Sequence, residues 1–200
     1  MEVLEQYVSF EESIKNSRFL SELFPCTDQN SARALIKEQK TKYSDATHVV
    51  HAFVIGNNKE ICGMSDDGEP SGTAGRPVLD VLKGRNVTNV LLTVTRWFGG
   101  TLLGTGGLVK AYSGGAKQVL QKADSLSAIV EYVEKQAFTL ECNYSIYKLI
   151  KKAFEDFNLF DIEEKFETQI LITAKIQQNQ LQDFCDRIKN LSNGQIDVRY

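Results

Sequence analysis

Residues 87–112, VTNVLLTVTRWFGGTLLGTGGLVKAY, hold the clearest strand of the chain and the loop and helix that come after it. The opening VTNVLLTVT is rich in β-branched and apolar residues, which is typical of a strand covered on both faces. Glycine and hydroxyl residues follow, and an amphipathic stretch then predicts a helix over 108–122. A strand that passes through a polar loop into a helix predicts a domain of mixed α and β structure.

The part of the chain before this stretch alternates strand and helix patterns. The predicted elements are two strands in 7–26 around a turn near Asn16-Ser17, a helix over 31–42 capped by Asn30 or Ser31, a strand over 47–56, a hairpin turn at Asn57-Asn58 into 61–64, and a helix over 71–84 with Pro77 in its first turn. Together they predict an N-terminal domain over residues 1–125, with a mixed β-sheet and two to three helices.

The pattern changes after about Ser125. Strand and helix signals then follow the order β-α-β-β-α-β, with strands at 137–142, 161–166, 169–176 and 195–199 and helices at 145–157 and 180–191. That order is the signature of a ferredoxin-like sandwich. The chain is therefore predicted to be an α+β protein of two domains, residues 1–125 and 128–200.

Composition excludes some classes of function. The net charge is −3, and neither the part before Ser125 nor the part after it has an excess of basic residues. Wrapping a long nucleic-acid duplex by bulk charge is therefore not expected, although a local binding site remains open. The four cysteines form no C-x-x-C pair, and no apolar run approaches the ~20 residues that span a membrane. A cytoplasmic protein with reduced thiols and no membrane segment is expected.

The first loop that could carry chemistry is residues 65–77, SDDGEPSGTAGRP. Its three carboxylates, Asp66, Asp67 and Glu69, could hold a hard cation such as Mg²⁺ through oxygen ligands. Alternatively, Ser71, Thr73 and the backbone N–H groups of the helix start could hold a phosphate, with Arg76 nearby. The plain structural alternative is a turn followed by a helix cap.

The second loop lies between the strand and the helix of residues 87–112. Arg96 offers a planar fork for phosphate, Trp97 or Phe98 could stack on a base, and Lys110 lies one helical turn inside the helix. The loop residues that could approach a ligand closely are Gly99, Gly100, Gly104, Thr105, Gly106 and Gly107. Tight packing of helix against strand is the alternative explanation of these glycines.

Familiar catalytic patterns fail on this chain. Gly99 and Gly104 have the phosphate-loop spacing, but Thr105 stands where the lysine of that motif belongs, and Val109 breaks the dinucleotide fingerprint. His48 and His51 are three apart in a predicted strand, so they point to opposite faces and cannot readily share one metal ion. No serine nucleophile elbow or partnered cysteine is visible. The sequence predicts no cofactor and leans away from an enzyme.

Together these motifs resemble the YigZ/IMPACT family over roughly residues 1–125. The resemblance rests on the following segments: Asp45-Ala46-Thr47-His48, residues 65–77, residues 95–100, residues 103–112 and Lys15-Asn16-Ser17-Arg18-Phe19. The C-terminal part is similar to the small ferredoxin-like domain of the bacterial members, which resembles the last domain of elongation factor G. The chain departs from the family pattern in four places. Trp97 stands where many members have tyrosine, Lys110 where arginine is common, and Leu102 where a lysine is frequent. The segment Val49-Val50-His51 also differs from the family pattern.

The resemblance implies a role beside the translation machinery. The N-terminal domain of the family is similar to the second domain of a ribosomal small-subunit protein, and the eukaryotic member regulates translation by competing for an activator of an initiation-factor kinase. Of the two histidines, only His48 fits the family motif.

Three hypotheses remain open from the sequence. The leading one is a non-enzymatic regulator that binds RNA, the ribosome or a translation-associated protein through the two loops. The second is a metal-dependent phosphoryl-transfer or hydrolytic enzyme that uses Asp66, Asp67 and Glu69. The third is a protein-interaction module with the ferredoxin-like domain as its docking surface.

Overall fold

The computed structural model describes residues 1–200, which form two compact units, Met1–Tyr132 and Val133–Tyr200. The strands are β1 (Glu2–Leu4), β2 (Val8–Ile14), β3 (Ser17–Pro25), β4 (His48–Ile55), β5 (Ile61–Ser65), β6 (Val87–Thr88), β7 (Val90–Trp97), β8 (Ile129–Glu131), β9 (Lys135–Cys142), β10 (Leu159–Phe166) and β11 (Ile170–Gln177). The α-helices are α1 (Gln29–Lys42), α2 (Gly75–Gly84), α3 (Thr105–Ser125), α4 (Tyr144–Phe154) and α5 (Leu181–Leu191). The predicted two-domain α+β class is confirmed.

The N-terminal unit is built on a five-stranded sheet of order β2-β3-β7-β4-β5. Every pair of neighbours in it is antiparallel. The main sheet is therefore antiparallel, and the prediction of a mixed sheet is wrong for it. Parallel pairing occurs only between β1 and β6, which lie in a separate sheet. β7 lies in the centre, and all but the last of its residues are buried, as its continuous apolar pattern predicts.

The two predicted hairpins are present. β2 and β3 are joined by Lys15 and Asn16, whose φ angles of 47° and 67° suit a two-residue turn. β4 and β5 are joined through Gly56 with φ 97°. The predicted strand at 87–95 is broken at Asn89, where φ is 54° and the side chain accepts from the Gly56 N–H at 3.0 Å.

Helices cover both faces of the main sheet. α2 and α3 share one continuous core with the sheet face of Val50, Ala52 and Val54, and α1 packs on the opposite face. α1 is capped by Asp28, not by Asn30 or Ser31 as predicted, because the Asp28 carboxylate accepts from their two N–H groups at 2.9 and 3.0 Å. The predicted start of α2 at Ser71 is four residues too early.

A small third sheet, β6-β1-β8, was not predicted. β8 pairs antiparallel with β1, and the Tyr132 N–H bonds to the Met1 carbonyl at 2.8 Å. This pairing explains why the N-terminal unit ends at Tyr132, seven residues beyond the predicted end at residue 125.

The C-terminal unit has a sheet of order β10-β11-β9, with both pairs antiparallel. α4 and α5 supply Ile150, Phe154, Phe184 and Ile188 to its core. The predicted strand at 195–199 is reduced to one isolated bridge between Thr139 and Arg199. None of the helices of the chain has the length and apolar character to cross a membrane. All four cysteines are free thiols.

Candidate functional site

The two loops predicted to carry the site leave the main sheet at the same end. β5 and β7 flank β4 and are both antiparallel to it, so they run in the same direction. α2 follows β5 and α3 follows β7 on one face of the sheet, which sets the two helices side by side and parallel. Pro77 and Val109, near the N-terminal ends of these helices, line the same groove. We call residues 66–74 the acidic loop and residues 98–104 the glycine loop.

A buried ion pair joins the two loops. Arg96 at the end of β7 donates from Nη1 to Oε1 of Glu69 in the acidic loop at 2.7 Å, and the two side chains are only 6% and 3% exposed. The Tyr112 hydroxyl of α3 donates to the same oxygen at 2.7 Å. Burial, the hydrogen bond to Glu69 and its negative charge raise the pKa of Tyr112 far above its usual value, so the phenol keeps its proton.

His48 completes this arrangement from β4. Its Nδ1 lies 2.8 Å from the carbonyl oxygen of Asp67. Because a carbonyl only accepts, Nδ1 carries the hydrogen, and Nε2 faces Oε2 of Glu69 at 3.8 Å. His48 therefore holds the backbone of the acidic loop against the ion pair. As the sequence predicts, His51 lies on the other face of the sheet, in register with Ser65.

Ser17 ties the glycine loop to the same group. Its buried hydroxyl accepts from Nη2 of Arg96 at 3.3 Å and from the Gly99 N–H at 3.2 Å. We call Ser17, His48, Glu69, Arg96 and Tyr112 the buried cluster. It connects both loops, the β2–β3 hairpin and α3, so it fixes the position of each loop relative to the other.

The two aspartates of the acidic loop are held by separate partners. Asp66 accepts backbone N–H bonds from Gly72, Ala74 and Gly75 at 2.8–3.1 Å, and it thereby caps α2 from outside the helix. Burial opposes ionisation, but these bonds outweigh it and lower the pKa of Asp66. Asp67 is likewise buried in part, and its bonds from Lys40 and from the Val49 N–H lower its pKa.

This division corrects the predicted cation site. Asp66 bonds to the backbone, Asp67 to α1 and β4, and Glu69 to Arg96 and Tyr112, so their oxygens do not converge. No group of three or more His, Cys, Asp or Glu side chains is arranged to hold a metal ion. The structure explains the three carboxylates as the groups that fold the acidic loop.

Four other predicted ligand contacts are turned inward or covered. Arg96 is 5% exposed and belongs to the buried cluster, so its guanidinium is not available to a large partner. Thr73 is buried, and its hydroxyl donates to the Pro70 carbonyl at 2.6 Å. Trp97 donates from Nε1 to Asp45 at 2.9 Å, and the Arg18 guanidinium lies 3.6 Å above its ring. His48 is largely enclosed by its contacts to the acidic loop.

The remaining predicted residues face outward around the two helix starts. Phe98 is 45% exposed. Arg76 forms an exposed pair with Asp80, and Lys110 has no ion-pair partner. The exposed set is Ser71, Arg76, Gly100, Gly104, Thr105, Gly106 and Lys110, with Gly99 and Gly107 half-buried. The structure thus separates the predicted residues into a buried cluster that holds the loops and an outer surface that solvent reaches.

α3 begins without the cap that α2 has. Its first residue follows Gly104, with φ 75°, and no side chain accepts from its first turn. The first helical bond runs from the Leu108 N–H to the Gly104 carbonyl, so the N–H groups of Thr105, Gly106 and Gly107 have no protein acceptor. No acidic residue lies in this turn. The positive end of a 21-residue helix is therefore open at the outer surface.

Acid should unfold the N-terminal unit through the acidic loop. The pKa values of Asp66 and Asp67 are lowered in the folded state. Each carboxylate therefore contributes stability that is present above the unfolded-state pKa of about 3.9 and is lost as the pH falls through the folded-state value. Urea midpoints measured between pH 7 and pH 2.5 should fall in this acid range. Asp66→Asn should lower the urea midpoint at pH 7 and make the midpoint fall less steeply in acid. Parallel curves of midpoint against pH for the variant and the wild type would contradict this.

Sequence reasoning missed the roles of Ser17, Tyr112 and Lys40. Ser17 and Tyr112 lie inside the family motifs, but their partners are 79 and 43 residues away along the chain. One signal was available for Arg96: alternation along β7 puts it on the same face as Leu92 and Val94, which predicts an inward side chain.

The chain is similar to known proteins over nearly its whole length. The Impact N-terminal domain model matches residues 15–120. An IMPACT family member of Haemophilus influenzae is 34% identical over 194 residues, covering 96% of this chain and 92% of the relative. IMPACT family member YigZ of Escherichia coli is 32% identical over 195 residues, covering 96% of this chain and 93% of the relative. A crystal structure of a hypothetical protein has a TM-score of 0.68 at 30% identity, covering 99% of this chain and 95% of that one.

The matched range contains β3 with Ser17, β4 with His48, both loops and Tyr112, so every member of the buried cluster lies inside the family domain. The overlap with the bacterial relatives continues through the C-terminal unit. On these findings, the chain belongs to the IMPACT family.

Proposed function

We propose that this protein is a non-enzymatic regulator that acts beside the translation machinery in the cytoplasm and binds ribosomal RNA through the outer surface of its two loops. The observation that carries the proposal is the open start of α3, where three backbone N–H groups have no acceptor. Such groups, with the positive end of a helix behind them, favour a phosphate.

The surroundings of this helix start also suit a phosphate backbone. Arg76 is exposed in the first turn of α2 and Lys110 in the second turn of α3, and neither helix has an acidic residue in its first turn. Asp66 neutralises the start of α2, so the open positive end is that of α3 alone. Backbone contacts of this kind position a nucleic acid without reading its sequence.

In this proposal, Phe98 is the residue that stacks on an RNA base. Trp97 is covered by Arg18 on one face and by Tyr43 at its edge, whereas Phe98 is 45% exposed on the glycine loop. Single-stranded RNA presents unstacked bases that rest on such aromatic rings. A ring beside an open helix start therefore supports a single-stranded segment better than a duplex.

The buried cluster supports a binding role rather than turnover. Arg96 Nη1 and the Tyr112 hydroxyl both donate to Glu69 Oε1 in the interior. These groups hold the loops rigidly, which lowers the entropy cost of binding a partner on their outer side. The family resemblance to proteins linked with translation directs the proposal to ribosomal RNA.

Removing the two outer cations should weaken RNA binding. Arg76→Ala with Lys110→Ala is expected to lower the affinity for a single-stranded ribosomal RNA fragment roughly tenfold. It should also reduce the salt slope, which is the slope of log affinity against log salt concentration, by about one to two, because each phosphate contact with a single strand adds about 0.7 to that slope. Filter binding at several salt concentrations measures both quantities.

The matched control is Lys83→Ala, which removes an exposed cation from the last turn of α2, away from the helix starts. It should leave the affinity and the salt slope unchanged. The proposal fails if the double variant, still folded by circular dichroism, binds RNA with the affinity and salt slope of the wild type.

A further inference from the structure

β5 is an open and unprotected edge of the main sheet. It is the last strand in the order β2-β3-β7-β4-β5, and none of its backbone groups bonds to an element other than β4. Its sequence, ICGMS, has no charge, proline or bulge, which are the usual devices that block pairing at an edge. The opposite edge, β2, carries Glu11 and Glu12 and is contacted by α3.

A basic wall stands beside this edge on the α1 side of the sheet. A groove of about 450 Å³ is lined by Arg33, Ile36, Lys37, Lys40, Thr41 and His51, with no carboxylate among them. Arg33 and Lys37 are exposed and form no ion pair. His51 lies opposite Ser65 of β5, and Lys40 reaches Asp67 just beyond β5, so the wall lies beside the Ser65 end of this strand.

The two faces of β5 differ in chemistry. On the α1 side the edge meets the cations of the wall. On the α2 side it presents Met64, which pairs with Ala52 and is 43% exposed. An added strand would alternate its side chains between these two environments.

We propose that β5 accepts an extended peptide of a partner protein as a sixth strand of this sheet, with acidic side chains on the α1 side and apolar side chains on the α2 side. Main-chain hydrogen bonds to β5 supply affinity, and the wall of Arg33 and Lys37 supplies specificity. The surface is separate from the helix starts assigned to RNA, so this inference does not rest on the proposed function.

Charge argues against a second copy of this chain as the occupant. Two β5 strands that pair antiparallel about a two-fold axis through the sheet keep the same face on the same side. The walls of Arg33, Lys37 and Lys40 would then face each other across the joint, and their like charges would repel. An acidic peptide removes this repulsion and gains opposite-charge contacts.

The test uses a fluorescent eight-residue peptide in which glutamate alternates with valine, and a control peptide in which lysine alternates with valine. Anisotropy titration of the full chain should show salt-sensitive binding of the acidic peptide alone. Arg33→Glu with Lys37→Glu should weaken it by about tenfold or more, and so should Met64→Lys, which places a charge at the edge. Lys83→Glu, on α2, should leave it unchanged. Hydrogen exchange should show new protection at Ile61–Ser65.

Four results would overturn the proposal. Two of them concern the peptides: equal binding of the acidic and basic peptides, or acidic-peptide binding without protection of β5. The third is binding of an RNA oligonucleotide that the Arg33→Glu and Lys37→Glu changes abolish while the acidic peptide does not bind. The fourth is a dimer by analytical ultracentrifugation that Met64→Lys dissociates. Because Met64, Arg33 and Lys37 are exposed, these variants are expected to fold.

Discussion

Glu69→Ala is expected to destabilise the N-terminal unit by about 3–5 kcal/mol, because it leaves the Arg96 charge buried without its partner. The Arg96 side chain is 6% exposed, and its other side-chain hydrogen bond is the 3.3 Å bond from Nη2 to Ser17. The Tyr112 hydroxyl loses its acceptor at the same time. Urea unfolding followed by far-UV circular dichroism measures the loss.

Two variants separate this effect from a general loss of charge. Asp80→Ala removes the exposed pair with Arg76 and should cost only about 0.3–0.5 kcal/mol. Glu69→Leu with Arg96→Met replaces the buried ions by apolar groups and should be more stable than Glu69→Leu alone, because no unpaired charge remains. A loss below about 1 kcal/mol for Glu69→Ala would mean that water reaches Arg96, and the buried cluster would then not hold the loops.

The same cluster shows where sequence reasoning succeeds and where it stops. The strand pattern around Leu91 and the hairpin turn near Asn16 depend on near neighbours, and both occur where predicted. The meeting of the two loops depends on β5 and β7 both choosing β4 as partner, a pairing between distant segments that no local pattern contains. The sequence therefore marks the loops but leaves open whether they form one surface.

The candidate residues divide for a similar reason. A short motif rich in carboxylates, hydroxyls and glycine has the same composition whether it binds a ligand or folds its own loop. Asp66 bonds to three backbone N–H groups of its own loop and of the start of α2, and Lys110 bonds to none of the charged side chains. Only burial and partners, which are properties of the fold, distinguish a residue that shapes the surface from one that presents it.

Gly99→Ala is expected to cost about 2–4 kcal/mol, because the added methyl group has no space. A Cβ at Gly99 would lie 2.0 Å from the carbonyl oxygen of Asn16 and 2.5 Å from the Ser17 nitrogen. These are backbone atoms of a tight hairpin turn, so they cannot rotate away as the end of a side chain would. The glycine loop must move, and the 3.2 Å bond from the Gly99 N–H to Ser17 is lost with it.

Gly114→Ala is the matched control for this change. Gly114 lies within α3, and nothing stands within 4 Å of its added Cβ. The better helix propensity of alanine should stabilise the protein by up to about 1 kcal/mol. If the two glycine variants change the free energy of unfolding in opposite directions in urea, close backbone approach is what Gly99 provides. A neutral Gly99→Ala would mean that the glycine loop is not pressed against the hairpin, and Ser17 would then not couple that loop to Arg96 and Glu69.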